Sequence, residues 1–129
     1  MSREACVLNY DRRQRKPSFL ALCGGLLASA SVALSAYAAH GMSDAHAQSN
    51  LQTAALYAFG HGVALAALTA GTVRTMGRIA LALLLLGTLL FSGSLVLNAL
   101  AGFSTQAAPV GGVMLIVGWA VWAVDAVRR

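Results

Sequence analysis

Residues 79–100 read IALALLLLGTLLFSGSLVLNAL and contain no Asp, Glu, Lys or Arg. A helix that crosses the hydrocarbon core of a bilayer needs about 20 apolar residues, so this run is long enough for one crossing. The charge-free region continues to residue 124, past small and polar residues at 101–108 and a proline that suits the first turn of another helix. Residues 79–124 therefore predict two membrane spans.

Two further charge-free stretches, 17–43 and 45–73, lie before this region, and each predicts one span. Only 10% of the chain is charged, whereas soluble domains carry about 25%. Helices of a soluble bundle would also be polar on one face, but residues 83–86 and 113–117 are apolar on every face. We therefore predict an all-α membrane protein with four spans, at about 18–39, 51–73, 79–100 and 109–127.

The positive charges are confined to segments between or beyond the predicted spans. Five precede the first span, Arg74 and Arg78 separate the second from the third, and Arg128 and Arg129 follow the fourth. Short loops rich in Lys and Arg remain in the cytoplasm. This pattern predicts an antiparallel bundle with both termini cytoplasmic, a basic tail over 1–16 and one transmembrane domain over 17–129. Three separated clusters do not form a nucleic-acid surface, so we expect no nucleic-acid partner.

The first span has some features of a secretory signal peptide. A basic start, an apolar run and the tripeptide Ala36-Tyr37-Ala38 match the pattern of a cleaved leader. The apolar run is longer than the usual 7–15 residues of a leader's apolar core. We therefore interpret it as a retained span, with cleavage left as the alternative.

Polar side chains within the spans are the best functional candidates, since they need partners in hydrocarbon. The second span enters the membrane near residue 51, which places His61 about 15 Å deep. The candidate polar cluster, from the first three spans, consists of His40, Tyr57, His61, Ser92, Ser94 and Asn98. Hydrogen bonds that fix helix packing are the leading interpretation. A proton or solute path centred on His61 is the alternative, since the histidine pKa lies near neutrality.

Three other chemistries are weaker. Haem held by His40 and His61 would need ligands at similar depth, yet these differ by about 15 Å. A Ser–His hydrolase using His61 with Ser92 or Ser94 would lack an oxyanion hole, because these serines lie mid-helix. The three histidines have no spacing typical of a metal site. We expect no catalytic residue, cofactor or metal.

Small residues recur at helical spacing in two spans, where they allow helices to approach closely. One face lies on the second span and the other on the fourth. The predicted packing residues are Gly60, Ala64, Ala67 and Gly71, and Gly111, Gly112 and Gly118.

Several short motifs resemble the YgdD-like family of small inner-membrane proteins, whose function is unknown. The resemblance covers about residues 18–127 and rests on AYAAHG at 36–41, QTAALYAFGH at 52–61, FSGSL at 91–95, PVGG at 109–112 and GW at 118–119. It implies a four-span protein of the bacterial inner membrane, and the recurring positions that it implies are His40, Tyr57, His61, Ser92, Gly93, Ser94, Pro109, Gly111, Gly112 and Trp119. Gly60 departs from the pattern, since a larger residue is expected directly before His61.

The sequence thus predicts a non-enzymatic membrane protein that acts as an accessory subunit or by self-association. Its expected partners are the lipid bilayer and either another membrane protein or a second copy.

Overall fold

A computed structural model describes residues 2–5 and 17–128. Four long helices account for most of the second range: α1 (Phe19–Gly41), α2 (Ala45–Leu68), α3 (Thr75–Ala101) and α4 (Ala107–Val127). Each is long and apolar enough to cross a membrane. The described residues contain no strand. The predicted all-α fold with four candidate spans is confirmed, whereas most of the predicted basic tail lies outside the described residues.

Local sequence signals explain where the helices begin and end. Ser18 caps α1 by accepting a hydrogen bond from the backbone N–H of Ala21 at 3.3 Å, and Asp44 caps α2 by accepting one from Ala47 at 2.8 Å. Gly102 ends α3 with a φ of 72°, a left-handed conformation that glycine adopts without steric cost.

The second helix differs from the predicted span at both ends. It begins at Ala45, before the predicted limit of 51, because the side chain of Asp44 caps the helix there. It ends at Leu68, before the predicted limit of 73. There the hydroxyls of Thr69 and Thr72 donate to the backbone carbonyls of Leu65 and Leu68 at 2.5 and 2.7 Å. The Thr72 bond satisfies a carbonyl in the last turn of the helix, whereas the Leu65 carbonyl also accepts the backbone N–H of Thr69 at 3.2 Å.

The helices form a row in chain order. Helix α1 packs on α2, α2 on α3 and α3 on α4, while α1 and α3 touch only briefly. Within the described chain, the backbones of α1 and α2 do not approach that of α4. Consecutive helices are antiparallel because the turns between them are short. We call the end with residues 17–20, 69–74 and 127–128 the terminal end, and the other the loop end.

Leucines and glycines hold the row together. The buried cluster contains Leu65 from α2, Leu115 from α4 and, from α3, Leu81, Leu84 and Leu85. Two outer contacts in the row are made by closely apposed backbones. A Cβ atom placed on Gly24 of α1 would lie 2.6 Å from the carbonyl oxygen of Gly62, and one on Gly111 of α4 would lie 2.5 Å from the backbone nitrogen of Phe91.

Candidate functional site

His61 uses both ring nitrogens within the chain. Its Nδ1 lies 2.8 Å from the carbonyl oxygen of Tyr57, one turn earlier in α2. Its Nε2 lies 3.0 Å from the indole nitrogen of Trp119 in α4. A carbonyl can only accept a hydrogen bond and an indole N–H can only donate one. The two partners therefore define a neutral imidazole that carries its hydrogen on Nδ1.

Aromatic rings continue the network from α3 through α2 to α4. The ring of Phe91 lies 4.6 Å from that of Tyr57, centroid to centroid, and Tyr57 stacks on His61 at 6.0 Å with an interplanar angle of 10°. His61 and Trp119 are also 6.0 Å apart, and Trp122 meets Trp119 edge-on at 6.2 Å. This aromatic row bridges α2 and α4, whose backbones do not touch.

The serines of the predicted cluster do not activate one another or His61. Ser92 is buried, and its hydroxyl donates across to the carbonyl oxygen of Ala54 in α2 at 2.9 Å. Ser94 is also buried, and its Oγ has no hydrogen-bond partner among the described residues. Since both nitrogens of His61 have other partners, the Ser–His pair that a hydrolase would need is not assembled in the described chain.

The two remaining cluster residues lie at the loop end. Asn98 accepts a hydrogen bond from Asn50 of α2 at 2.9 Å and donates one to the carbonyl oxygen of Phe103 at 2.8 Å. These bonds tie α2, α3 and the following turn together. His40 lies exposed in the last turn of α1, and no hydrogen bond within the described chain joins it to the others. The six predicted residues therefore do not form one cluster. Only Tyr57 and His61 among them are in direct contact in the described chain.

The family resemblance includes Trp119, but sequence reasoning did not place it in contact with His61. Trp119 lies about 12 Å before the end of α4 at Val127. Its indole N–H donates to Nε2 of His61. The sequence shows only that one helix carries a histidine and another carries an indole N–H donor. Such a combination is common, and it does not reveal that the two side chains face each other.

The predicted small-residue faces have different environments. On α4, Gly111 and Gly118 face α3, while a Cβ on Gly112 would meet only a ring carbon of Phe91, at 3.9 Å. A Cβ on Gly60 of α2 would meet nothing of the described chain within 4 Å, and the same holds for Gly71, which lies in the turn beyond the end of α2 at Leu68. The α4 face is thus largely used inside the chain, whereas on α2 Gly60 and Ala67 are exposed and Ala64 is half-buried. The close glycine contact of α2 involves Gly62 instead.

No group of three or more His, Cys, Asp or Glu side chains that could hold a metal ion occurs among the described residues.

Residues 34–112 match the model of a family described as a protein of unknown function, DUF423. The chain belongs to this family. A UPF0382 membrane protein of Haemophilus influenzae is 36% identical over 95 residues, which are 68% of this chain and 77% of that protein. No solved structure matches the chain. The similarity to a membrane protein and the presence of four apolar helices together indicate that this DUF423 protein is a multi-pass membrane protein.

The DUF423 match covers only one of the two residues in the hydrogen bond between His61 and Trp119. It includes His61 with its neighbours in α2 and α3, and it stops before Trp119. The family description supplies no activity, so any function rests on the residues themselves.

Proposed function

We propose that this DUF423 protein is a non-enzymatic protein of the bacterial inner membrane that acts by associating with a second copy of itself. The narrower YgdD-like resemblance supports the inner membrane as its location. The observation that carries the proposal is the open face of α2, formed by Gly60, Ala64 and Ala67, with Gly71 in the turn that follows the helix.

This face has the composition that favours contact between membrane helices. Gly60 and Ala64 are four residues apart in α2, a spacing that lets two helix backbones approach closely, and Ala67 follows on the same side of the helix. A closed homodimer about a two-fold axis places the same surface on both partners. Two α2 helices related in this way would each cover the other's small residues.

The contacts of His61 support association over the alternative, a proton or solute conduit. A group that relays protons must exchange them, yet both ring nitrogens of His61 already have protein partners. A proton added to Nε2 would have to displace the Trp119 N–H, which cannot accept. The same contacts disfavour hydrolase chemistry, because His61 has no nitrogen left to act as a base for a serine.

Native gel electrophoresis of the gently solubilised protein, with mass spectrometry of the band that contains it, tests the proposal. We expect a homodimer for the wild type and a monomer for Gly60→Leu or Ala67→Leu, since a larger side chain would separate the two helices. Ala30→Leu, on the exposed surface of α1, is the control and should remain dimeric.

Two results would overturn the self-association proposal. Wild-type protein that migrates as a monomer would do so, as would migration within a larger assembly of other proteins, which identifies an accessory subunit instead. If His61→Leu retains its fold but abolishes a proton or solute flux measured in proteoliposomes, a conduit function replaces both self-association and the accessory subunit.

A further inference from the structure

A cavity of about 920 Å³ opens at the terminal end of the row. The first turn of α1, the last turn and following residues of α2, and the first turns of α3 form its walls. Its lining includes Ser18, Phe19, Ala70, Val73, Arg78 and Leu81. None of these residues belongs to the aromatic row or to the open face of α2, so a ligand in this cavity is independent of the proposed self-association.

The charge of Arg78 distinguishes this cavity. Arg78 is exposed and forms no ion pair with the residues that the structure describes. Arg74, at the same end, lies 4.0 Å from the carboxylate of Asp125 and also contacts the carbonyl of Arg128. No Asp or Glu occurs among the described residues that line the cavity. Its side-chain charge is therefore a single cation without a counterion from the cavity wall.

The hydroxyl groups around the cavity differ in what they can offer a ligand. Thr69 and Thr72 donate their hydrogens to backbone carbonyls of α2, which leaves only their lone pairs. Ser18 instead accepts a hydrogen bond from Ala21, so its own hydrogen remains available. Ser18 and Arg78 are thus two donors suited to an oxygen-rich anion.

The rest of the lining is apolar and continues toward lipid. Phe19 and Val73 are 74% and 76% exposed, whereas Leu81 is fully buried at the inner wall. A small soluble anion would leave this apolar surface uncovered. A phospholipid would place its phosphate beside Arg78 and its acyl chains along the apolar surface. Basic pockets between membrane helices bind anionic headgroups in this way.

We propose that this cavity binds the phosphate of an anionic phospholipid from the leaflet at the terminal end, with Arg78 as the charged ligand and Ser18 as a hydroxyl donor. The excess of one cation in the lining favours a lipid with net negative charge over a zwitterionic one.

Native mass spectrometry of the full chain, purified in a mild detergent and titrated with phosphatidylglycerol, tests this site. Removal of one cation near the phosphate should weaken the first binding event about fivefold in Arg78→Gln. Arg128→Gln is the charge-matched control, because it removes one cation from the same end outside the cavity lining, and it should bind like the wild type. The basic residues before Pro17 are the same in every variant, so their contribution cancels.

A second variant tests the cavity without a change of charge. Ala70→Phe should fill part of the space and weaken binding, and it keeps the test decisive if Arg78→Gln fails to fold. Equal weakening in Arg78→Gln and Arg128→Gln would overturn the proposal in favour of diffuse surface charge. Equally tight binding of phosphatidylcholine would overturn the preference for an anionic lipid. Inorganic phosphate that competes as well as the lipid would show that the source is free phosphate.

Discussion

At the scale of single residues, His61 shows how a polar ring is accommodated in an apolar helix. Counting residues gives its position along α2, and its depth in the membrane stays a prediction. Its hydrogen-bond partner on α4 could not be predicted, because position along a helix does not specify which way a side chain points. The structure shows that the ring of His61 points toward α4, where the indole of Trp119 bonds one ring nitrogen while the Tyr57 carbonyl bonds the other.

The hydrogen bond between His61 and Trp119 should give a measurable coupling energy. We expect Trp119→Phe and His61→Leu each to destabilise the protein, and the double variant to be less unstable than the sum. The coupling should be near the membrane average of about 0.6 kcal/mol. Reversible unfolding in mixed micelles measures the free energies.

The matched control for this cycle is Trp122→Phe, which alters a ring in the same row whose indole does not bond His61. The losses in unfolding free energy caused by Trp122→Phe and by His61→Leu should add in the double variant. A coupling for Trp122 as large as that for Trp119 would contradict the assigned hydrogen bond and point to ring packing alone.

At the scale of helices, the glycines determine which surfaces meet. On α4 the repeated small residues coincide with a close contact, because Gly111 and Gly118 recur on one side of the helix and face α3. The same pattern on α2 does not predict its contact with α1, which uses Gly62 and Gly24. An isolated glycine pair has no periodicity to detect, and α2 has small residues on several faces.

Gly62→Ala and Gly60→Ala should therefore have opposite effects, although they are two residues apart in one helix. A Cβ on Gly62 would lie 2.7 Å from the carbonyl oxygen of Gly24, and a backbone atom cannot move away cheaply. We expect a loss of about 1–3 kcal/mol, as for other overpacked sites. A Cβ on Gly60 meets no described atom within 4 Å, so that variant should be neutral or gain up to about 1 kcal/mol.

Unfolding of the two purified variants under the same conditions as the wild type measures this difference. Because Gly60 also lies in the proposed dimer interface, both variants are measured at protein concentrations low enough to dissociate the homodimer. Equal stability of the two variants would mean that α1 and α2 do not approach each other through Gly24 and Gly62.

At the scale of the whole molecule, the number of spans and the antiparallel order follow from the charge-free runs and the short turns between them. The row arrangement does not follow from these features, because helices without a polar face can pack equally well in a row or in a closed bundle. The separation of α4 from α1 is decided by which faces carry Gly87, Gly111 and the leucines of α3.

The side on which the termini lie remains a prediction from the distribution of Lys and Arg. Single cysteines at Ser43 and Ser104, in a variant without Cys6 and Cys23, should react with an impermeant thiol reagent added outside intact cells. A cysteine added after Arg129 should react only after lysis. Labelling of the C-terminal cysteine in intact cells would reverse the orientation.

The row arrangement also has a consequence for biogenesis. The tightest helix contact of the first half, between Gly24 and Gly62, and that of the second half, between Gly111 and the backbone of Phe91, each join helices that are adjacent in the chain. Each hairpin therefore completes its closest packing without help from the other. During synthesis, the first hairpin can leave the insertion machinery as a finished unit while the ribosome is still translating the second.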